Sequence, residues 1–458
     1  MRKAGCSRAP APQARVLGRL RSARGTQKGH SLIPVLGVTV AVLLIGAALL
    51  TLGTGESRHV EHSVDTSRSF WLAEGGVERA RGLLQVLSSE YPPVFPDSTK
   101  FTNQPLGGGT YTASIKRVTG GSTPWVIQYE VVSTGDVDGA TSQVRAVLQS
   151  ETFAQYMYFA DEMEEIWFIT GDRLDGRVHA NGYLHISGDP WFGMKVTTAQ
   201  DEIVMTSWSN PTFEGGYELG VEEIPLPVPS NLTSTMRADA QADGIYGGNL
   251  SGNRARYEVI LGKDGWMGGF SWRSYERDGY SYSWSAWHDV FIEDTNGIAW
   301  FDETVHVQGV LDGQLTIGSS NDVYISDDII YEDSTPGEGP DLGGDDVLGL
   351  VASGDVVVGM TAENMDDVEV HAHMLALDES FTAERYWEGS PRGTLTLYGG
   401  FAQQRQGAVG QFNSYGIVHG YQKDYHYDMN LLTNSPPGYP ATGKYRLVHW
   451  EETTPPQV

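Results

Sequence analysis

The residue types in this chain that could do chemistry fall into four sets. His179 with His185, His371 with His373, and His426 in "DYHYD" are histidines that could ligate a metal. Residues i and i+2 of a strand share a face, so His371 and His373 could hold one ion together. None has a fixed third ligand. They are therefore read as hydrogen-bonding residues of turns and sheets, with His179 and Asn181 of "VHANG" fixing a turn, and no metal ligands are assigned.

Two Asp-rich loops, "DVDG" (Asp136 to Gly139) and "GGDDV" (Gly343 to Val347), could bind calcium. Neither contains the full 12-residue ligand pattern ending in Glu, and turn chemistry explains them equally well. Paired carboxylates in a groove would suit glycoside chemistry. With 58 Asp and Glu no pair stands out, and no nucleophile elbow, HExxH or phosphate loop is present. The fourth set is aromatic: Trp266, Phe270, Trp272, Tyr275, Tyr280, Tyr282, Trp284 and Trp287. These rings could stack sugars or form a protein interface, but the area each ring buries favours an ordinary core.

The elements that must position these residues are mainly strands. The 458 residues suffice for two or three domains, and 56 Gly with 22 Tyr and 12 Trp point to a turn-rich β protein. Three strand-like runs, Tyr111 to Val118, Trp125 to Ser133 and Thr141 to Leu148, are separated by "TGGST" and "GDVDG". They predict a small antiparallel module over residues 91–150, entered through the proline-broken "YPPVFPD" and the flexible "PLGGG". From residue 151 to 458 the texture becomes short β runs with corners at "SGDPWF", "SNDVYI" and "SGDVVV". Such corners fit a solenoid or stacked sheet, and their irregular spacing predicts a β-helix-like or sandwich-like body. Residues 200–300, with "EIPLPVP" and the aromatic cluster, read as an insertion. The fold class expected is α+β, mainly β.

Charge separates the N-terminus from the rest. Residues 1–29 hold eight of the 31 Lys and Arg and no acid, so removing them leaves 23 basic against 58 acidic residues, a net charge of -35. A body this acidic repels a phosphate backbone, which excludes a nucleic-acid partner. The only cysteine is Cys6, so the body can form no disulfide.

Gly29 to Gly55 contains 27 residues without Asp, Glu, Lys or Arg. At about 1.5 Å per residue such a helix crosses a hydrocarbon core of roughly 30 Å. Basic residues precede it, which predicts a cytoplasmic N-terminus and an exported body. The run is too long for the apolar region of a signal peptide, about 7 to 15 residues. Beyond it Phe70, Ala73, Val77, Ala80, Leu84 and Leu87 recur every three or four residues, so residues 30–90 are read as a transmembrane helix continuing into an amphipathic one.

A basic leader ending in Lys28-Gly29, followed by a helix apolar first and amphipathic later, resembles a type IV prepilin. The downstream "AEGGVERA" (Ala73 to Ala80) is similar to the helix segment of PilX-type minor pilins. The resemblance implies cleavage by a prepilin peptidase between Gly29 and His30, and partnership with other pilins and pilus assembly proteins. The fifth residue after that cut is Pro34, where major pilins carry a glutamate. Proline is sterically acceptable in a first helical turn but supplies no charge, so the departure argues against a major filament subunit. Gly37, Gly46 and Ala47 would permit close helix packing.

The body resembles a bacterial domain of unassigned function found behind PilX-type N-termini. The matching stretches are "GRVHANGYLHISGDPWF" from Gly176, "VHVQGVLDGQLTIGSSNDVYI" from Val305, "DVLGLVASGDVVV" from Asp346, "GYQKDYHYD" and "PPGYP". That likeness implies an envelope location and no known chemistry. The function expected is a non-catalytic, inner-membrane, single-pass minor pilin-like protein. Its body would be periplasmic or on the surface, acting in pilus assembly, adhesion or cell contact, with no cofactor beyond the calcium the Asp loops could take. The alternative is a membrane-anchored carbohydrate-active enzyme or glycan-binding module. Exposed Trp266, Trp272, Tyr280, Tyr282, Trp284 and Trp287 would favour that alternative.

Overall fold

The computed structural model describes residues 32–89, 96–118, 126–335, 338–413 and 416–454. The leader pair Gly29 and His30 lies outside the described residues. Helix α1 (Leu32–Ser89) comes first. Contacts divide the chain into two compact units, one ending at Val64 and the other beginning at Asp65. In the first unit Ile33–Gly53 is apolar, with mean hydropathy 2.6 and no buried residue.

In the second unit the remainder of α1 packs on an antiparallel sheet. Its strands β1 (Ser98–Leu106), β2 (Gly109–Arg117), β3 (Gln128–Val137) and β4 (Ala140–Thr152) lie in chain order. The β1–β2 link is the Gly107-Gly108 turn, and β3–β4 turns through Asp138 and Gly139, both at positive φ as a tight hairpin requires. "DVDG" is therefore a hairpin tip. A fifth strand, Ala441–Thr453, pairs antiparallel with β4 and brings the far end of the chain into this sheet. Arg145 on β4 clasps Glu130 at 2.5 Å and Glu451 at 2.9 Å, tying β3 to the last strand.

Alternation explains which face the helix covers. Strand β3 buries every second residue, and Tyr129 and Val131 join Ile115, Val144, Ala146 and Leu148 against Ala73, Val77, Ala80 and Leu84. Each Val, Leu or Ile side chain among them contributes about 1.5–3 kcal/mol on burial. The backbones approach closely where side chains are missing: a Cβ on Gly135 would collide with the Ser69 carbonyl, and one on Gly76 with the Ser133 side chain. Gly76 belongs to "AEGGVERA", so that motif has a packing reason.

The body is a coil of stacked parallel strands. One residue column runs Ile245, Ala299, Ile317, Leu350, Met374, Phe401, Tyr158, Val178, Val196, Tyr217, each paired in register with the next. A second column, Tyr257, Val305, Val323, Val356, Phe381, lies on another face. A third face stacks Ile329, Val370, Leu397 and Tyr425. All these pairings are parallel. The column order is not the chain order. The chain enters mid-stack at Tyr158, winds outward to Tyr217, returns along the side through helix α2 (Pro229–Asp243), and winds back to Phe401.

Helix α2 covers part of that return: its 15 residues span about 22 Å, the height of four or five stacked strands, and residues 220–228 before it cover the rest. It passes successive coils: Thr233 meets Ser353, and Arg237 meets Asp302 at 2.6 Å and Ser320. Buried Leu232, Met236 and Ala240 face the core.

The Gly-Asp and Asn-Asp corners hold one coil to the next. Asp322 Oδ1 accepts from Asp355 N at 3.0 Å, and Asp355 Oδ1 accepts from Ser380 N at 2.8 Å. In "SGDPWF" the Asp189 carboxylate likewise accepts from Asn210 N. Corners far apart in sequence therefore sit above one another. Within residues 200–300, the antiparallel strands Arg256–Leu261, Gly269–Asp278, Ser281–Trp284 and His288–Phe291 carry the aromatic cluster, and the first of them pairs parallel with Val305–Leu311 of the coil.

Because backbone on both sides fixes the helix-to-sheet distance, Gly135→Val should destabilise the second unit by about 1–3 kcal/mol. Exposed Gly139, whose added Cβ meets nothing, should be insensitive to packing and respond only to its turn conformation. Thermal unfolding of the two variants beside wild type checks this.

Candidate functional site

The surface that departs most from an ordinary protein exterior is the first part of α1. Ile33, Val35, Leu36, Val42, Leu43 and Leu50 are each more than 60% exposed. A contiguous apolar surface of this kind marks a membrane or protein contact. Its hydroxyls are already satisfied: Thr39 donates to the Val35 carbonyl and Thr51 to the Ala48 carbonyl, both at 2.8 Å. Pro34 is the third residue of the helix, where no intrahelical N–H partner is lost. Gly37, Gly46 and Ala47 lie on this helix, and a Cβ at either glycine would meet nothing within 4 Å.

The later positions behave differently. Ala73, Val77, Ala80 and Leu84 are buried, while Phe70 and Leu87 are half-buried. Phe70 packs edge-on against Trp450 of the last strand, and Trp450 Nε1 donates to Glu74 at 2.6 Å.

Of the candidate histidines, His179, His371, His373 and His426 are engaged by polar partners in the protein, whereas His185 packs against the Trp167 ring with its buried Nδ1 lacking a hydrogen-bond partner among the described residues. His179 Nδ1 lies 2.8 Å from Thr197 Oγ1, and its Nε2 lies 2.9 Å from Asn181 Oδ1. Asn181 also exchanges hydrogen bonds with the Ile224 backbone, docking the proline-rich stretch. His371 and His373 share a strand but separate at a coil corner, since Val370 pairs with Ile329 and His373 with Gly349. His371 Nε2 lies 2.8 Å from Glu369, and its Nδ1 accepts from Tyr331 N. His373 Nε2 donates to the Tyr156 carbonyl at 2.9 Å, and its Nδ1 lies 2.6 Å from the Tyr439 hydroxyl. The two rings thus have separate partners. Burial pushes His179 down to about 4 and His373 down to about 3. His426 is raised by Asp175 and Asp424.

The aromatic cluster forms a ladder with cations. Arg256 lies over Tyr275 at 4.5 Å and Trp284 at 5.1 Å, and Arg273 lies over Trp284 at 4.1 Å and Trp287 at 4.2 Å. Tyr282 stacks on Tyr275, and Trp272 on His288. Trp266 meets Phe291 edge-on. Of the rings singled out, Phe270 is fully buried, Tyr280 stands fully exposed at a hairpin tip, and the others are half-buried. Guanidinium groups already occupy ring faces that a sugar would use.

Sequence reasoning missed a cavity of about 410 Å³ lined by Tyr158, Phe168, Phe381, Phe401 and Tyr425, with Lys423 paired to Asp172 at 2.9 Å. Its walls come from four stretches of chain, 158–174, 381–386, 401–412 and 423–425, and the first meets the others because Phe401 pairs with Tyr158. No local pattern signals it.

Residues 124–200 match a family model described as a domain of unknown function (DUF4900), a segment reaching from β3 and β4 into the first coils. No curated protein matches the chain. Among solved structures, the competence-associated pilin ComZ from Thermus thermophilus is similar over 85% of this chain and 97% of that one, with 12% identity and a TM-score of 0.33.

A histidine held below its unfolded value binds fewer protons folded than unfolded. Its contribution is therefore present above pH about 6.5 and is lost as pH falls toward about 3. His373→Gln should cost about 1–3 kcal/mol near neutral pH through unmade buried hydrogen bonds. The gap to wild type should narrow as pH falls to about 4.5, read as the difference in unfolding temperature at the two pH values.

Proposed function

We propose that this protein is a non-catalytic, type IV pilin-like protein of the minor-pilin kind. The apolar part of α1 anchors it in the inner membrane, and the acidic coil is presented outside. One observation carries the reading: Ile33–Gly53 is apolar and unburied, and the same helix later packs a small-residue face, Ala73, Gly76 and Ala80, on an antiparallel sheet. That is an anchor followed by a helix-on-sheet head. At about 1.5 Å per residue the 21 apolar residues measure roughly 31 Å, enough for a bilayer core.

The eight basic residues before the helix favour a cytoplasmic N-terminus. Leader cleavage after Gly29 would release the helix for lateral packing with other pilin helices, and Gly37, Gly46 and Ala47 offer the small side chains for it. Pro34 removes the charge that would pair with a neighbouring N-terminus. The role is therefore assembly, adhesion or contact at a filament tip or collar, not repetition along a shaft.

Intact mass and N-terminal sequencing of the protein from membranes, with and without a prepilin peptidase, test this reading. Mature protein beginning at His30 only where the peptidase is present is the expected result. Protein beginning at Met1 in both membranes would leave a plain signal anchor and remove the pilin assignment.

A further inference from the structure

The loop between Tyr331 and Val347 gathers carboxylates without a counter-charge. Asp333, Asp345 and Asp346 each place a carboxylate oxygen within 4.8 Å of the others. Oxygens bound to one calcium ion at about 2.3–2.6 Å can lie no farther apart than roughly 5 Å. Asp333 has both carboxylate oxygens buried with no hydrogen-bond partner among the described residues. Asp428, only 4% exposed, likewise leaves Oδ2 buried and unpartnered among the described residues. None of these four carboxylates forms an ion pair among the described residues.

A buried carboxylate without donors is costly unless a cation or a proton meets it. The surroundings hold the group in place instead of neutralising it. Asp346 accepts from Gly313 N at 2.5 Å and Asp333 N at 3.1 Å, which fixes its orientation and leaves lone pairs free. Gly344 makes room, because a Cβ there would overlap the Asp333 carboxylate. Asn430, two residues beyond Asp428, receives Gly343 N and donates to the Asp341 carbonyl, strapping the loop to the segment that carries Asp428.

We infer that this loop is a site for a hard divalent cation of the calcium class, with Asp333, Asp345 and Asp346 as direct ligands and Asp428 beside them. The ligands come from both ends of one loop, and Asp428 belongs to the segment that Asn430 straps to it. The ion closes the loop onto that segment, and its effect is on stability of this corner of the coil. Carboxylate oxygens suit hard cations over soft ones, and magnesium's reluctance to shed its water shell and its demand for near-ideal octahedral geometry favour calcium.

The test uses full-length protein in detergent, with calcium chloride, magnesium chloride or a chelator, read by titration calorimetry and thermal unfolding. Calcium should bind with measurable heat and raise the unfolding temperature above that in chelator, and magnesium should do so at least tenfold more weakly. Asp333→Asn and Asp345→Asn should each weaken calcium affinity at least tenfold; in chelator Asp333→Asn should unfold at or above the wild-type temperature, since a carboxylate with buried, unpartnered oxygens is gone, and Asp345→Asn, whose side chain is exposed, at about the wild-type temperature. Wild type indifferent to calcium would overturn the inference, because the carboxylates then share protons. Equal calcium response in wild type and both variants would also overturn it, because the ion would sit elsewhere.

Discussion

The pairing of Phe401, Ala402 and Gln403 with Tyr158, Phe159 and Ala160 joins two sets of coils wound at different times along the chain. Without it the first coils, up to Tyr217, and the later ones, from Ile245, would be separate stacks, each with an open end. Parallel strands cannot leave an apolar edge to water, since unpaired backbone and uncovered side chains both cost free energy. The seam buries that edge inside the protein. It also creates the aromatic cavity, whose walls belong to both sets.

The same entry point explains the position of the small sheet. The chain leaves β4 to begin the coil mid-stack and returns from its end as Ala441–Thr453, beside β4. The segment just before that return, Pro436 to Tyr439, covers an outward column of Thr316, Gly349 and His373. Those positions would face water on a bare coil. Covered, they become buried polar groups and must be hydrogen-bonded, as they are.

The acidic character divides into two kinds. Most carboxylates are solvated or belong to corner ladders, where a neighbouring coil's backbone N–H supplies the partner. The group around Asp333 differs because burial there outruns the supply of donors. Composition alone cannot separate these kinds. In "GGDDV" the signal is two adjacent aspartates, and their neighbours Asp333 and Asp428 enter only through the loop's return and the last segment.

Sequence alone determined the local facts. The uncharged run to Gly55, the spacing from Phe70 to Leu84, and the Gly-Asp corners each follow from short-range physics: hydrophobic length, helical period, and turns that need small or side-chain-capped residues. The mainly β class and the helix followed by a small antiparallel sheet were legible from them. Tertiary structure decided what depends on pairing between distant strands. That includes the order of the coils, the return of the last strand to β4, the corner that separates His371 from His373, and the cations lying over the aromatic faces. A strand records which of its faces is apolar but not which strand will lie beside it, because parallel neighbours are chosen by register and loop closure across the whole chain.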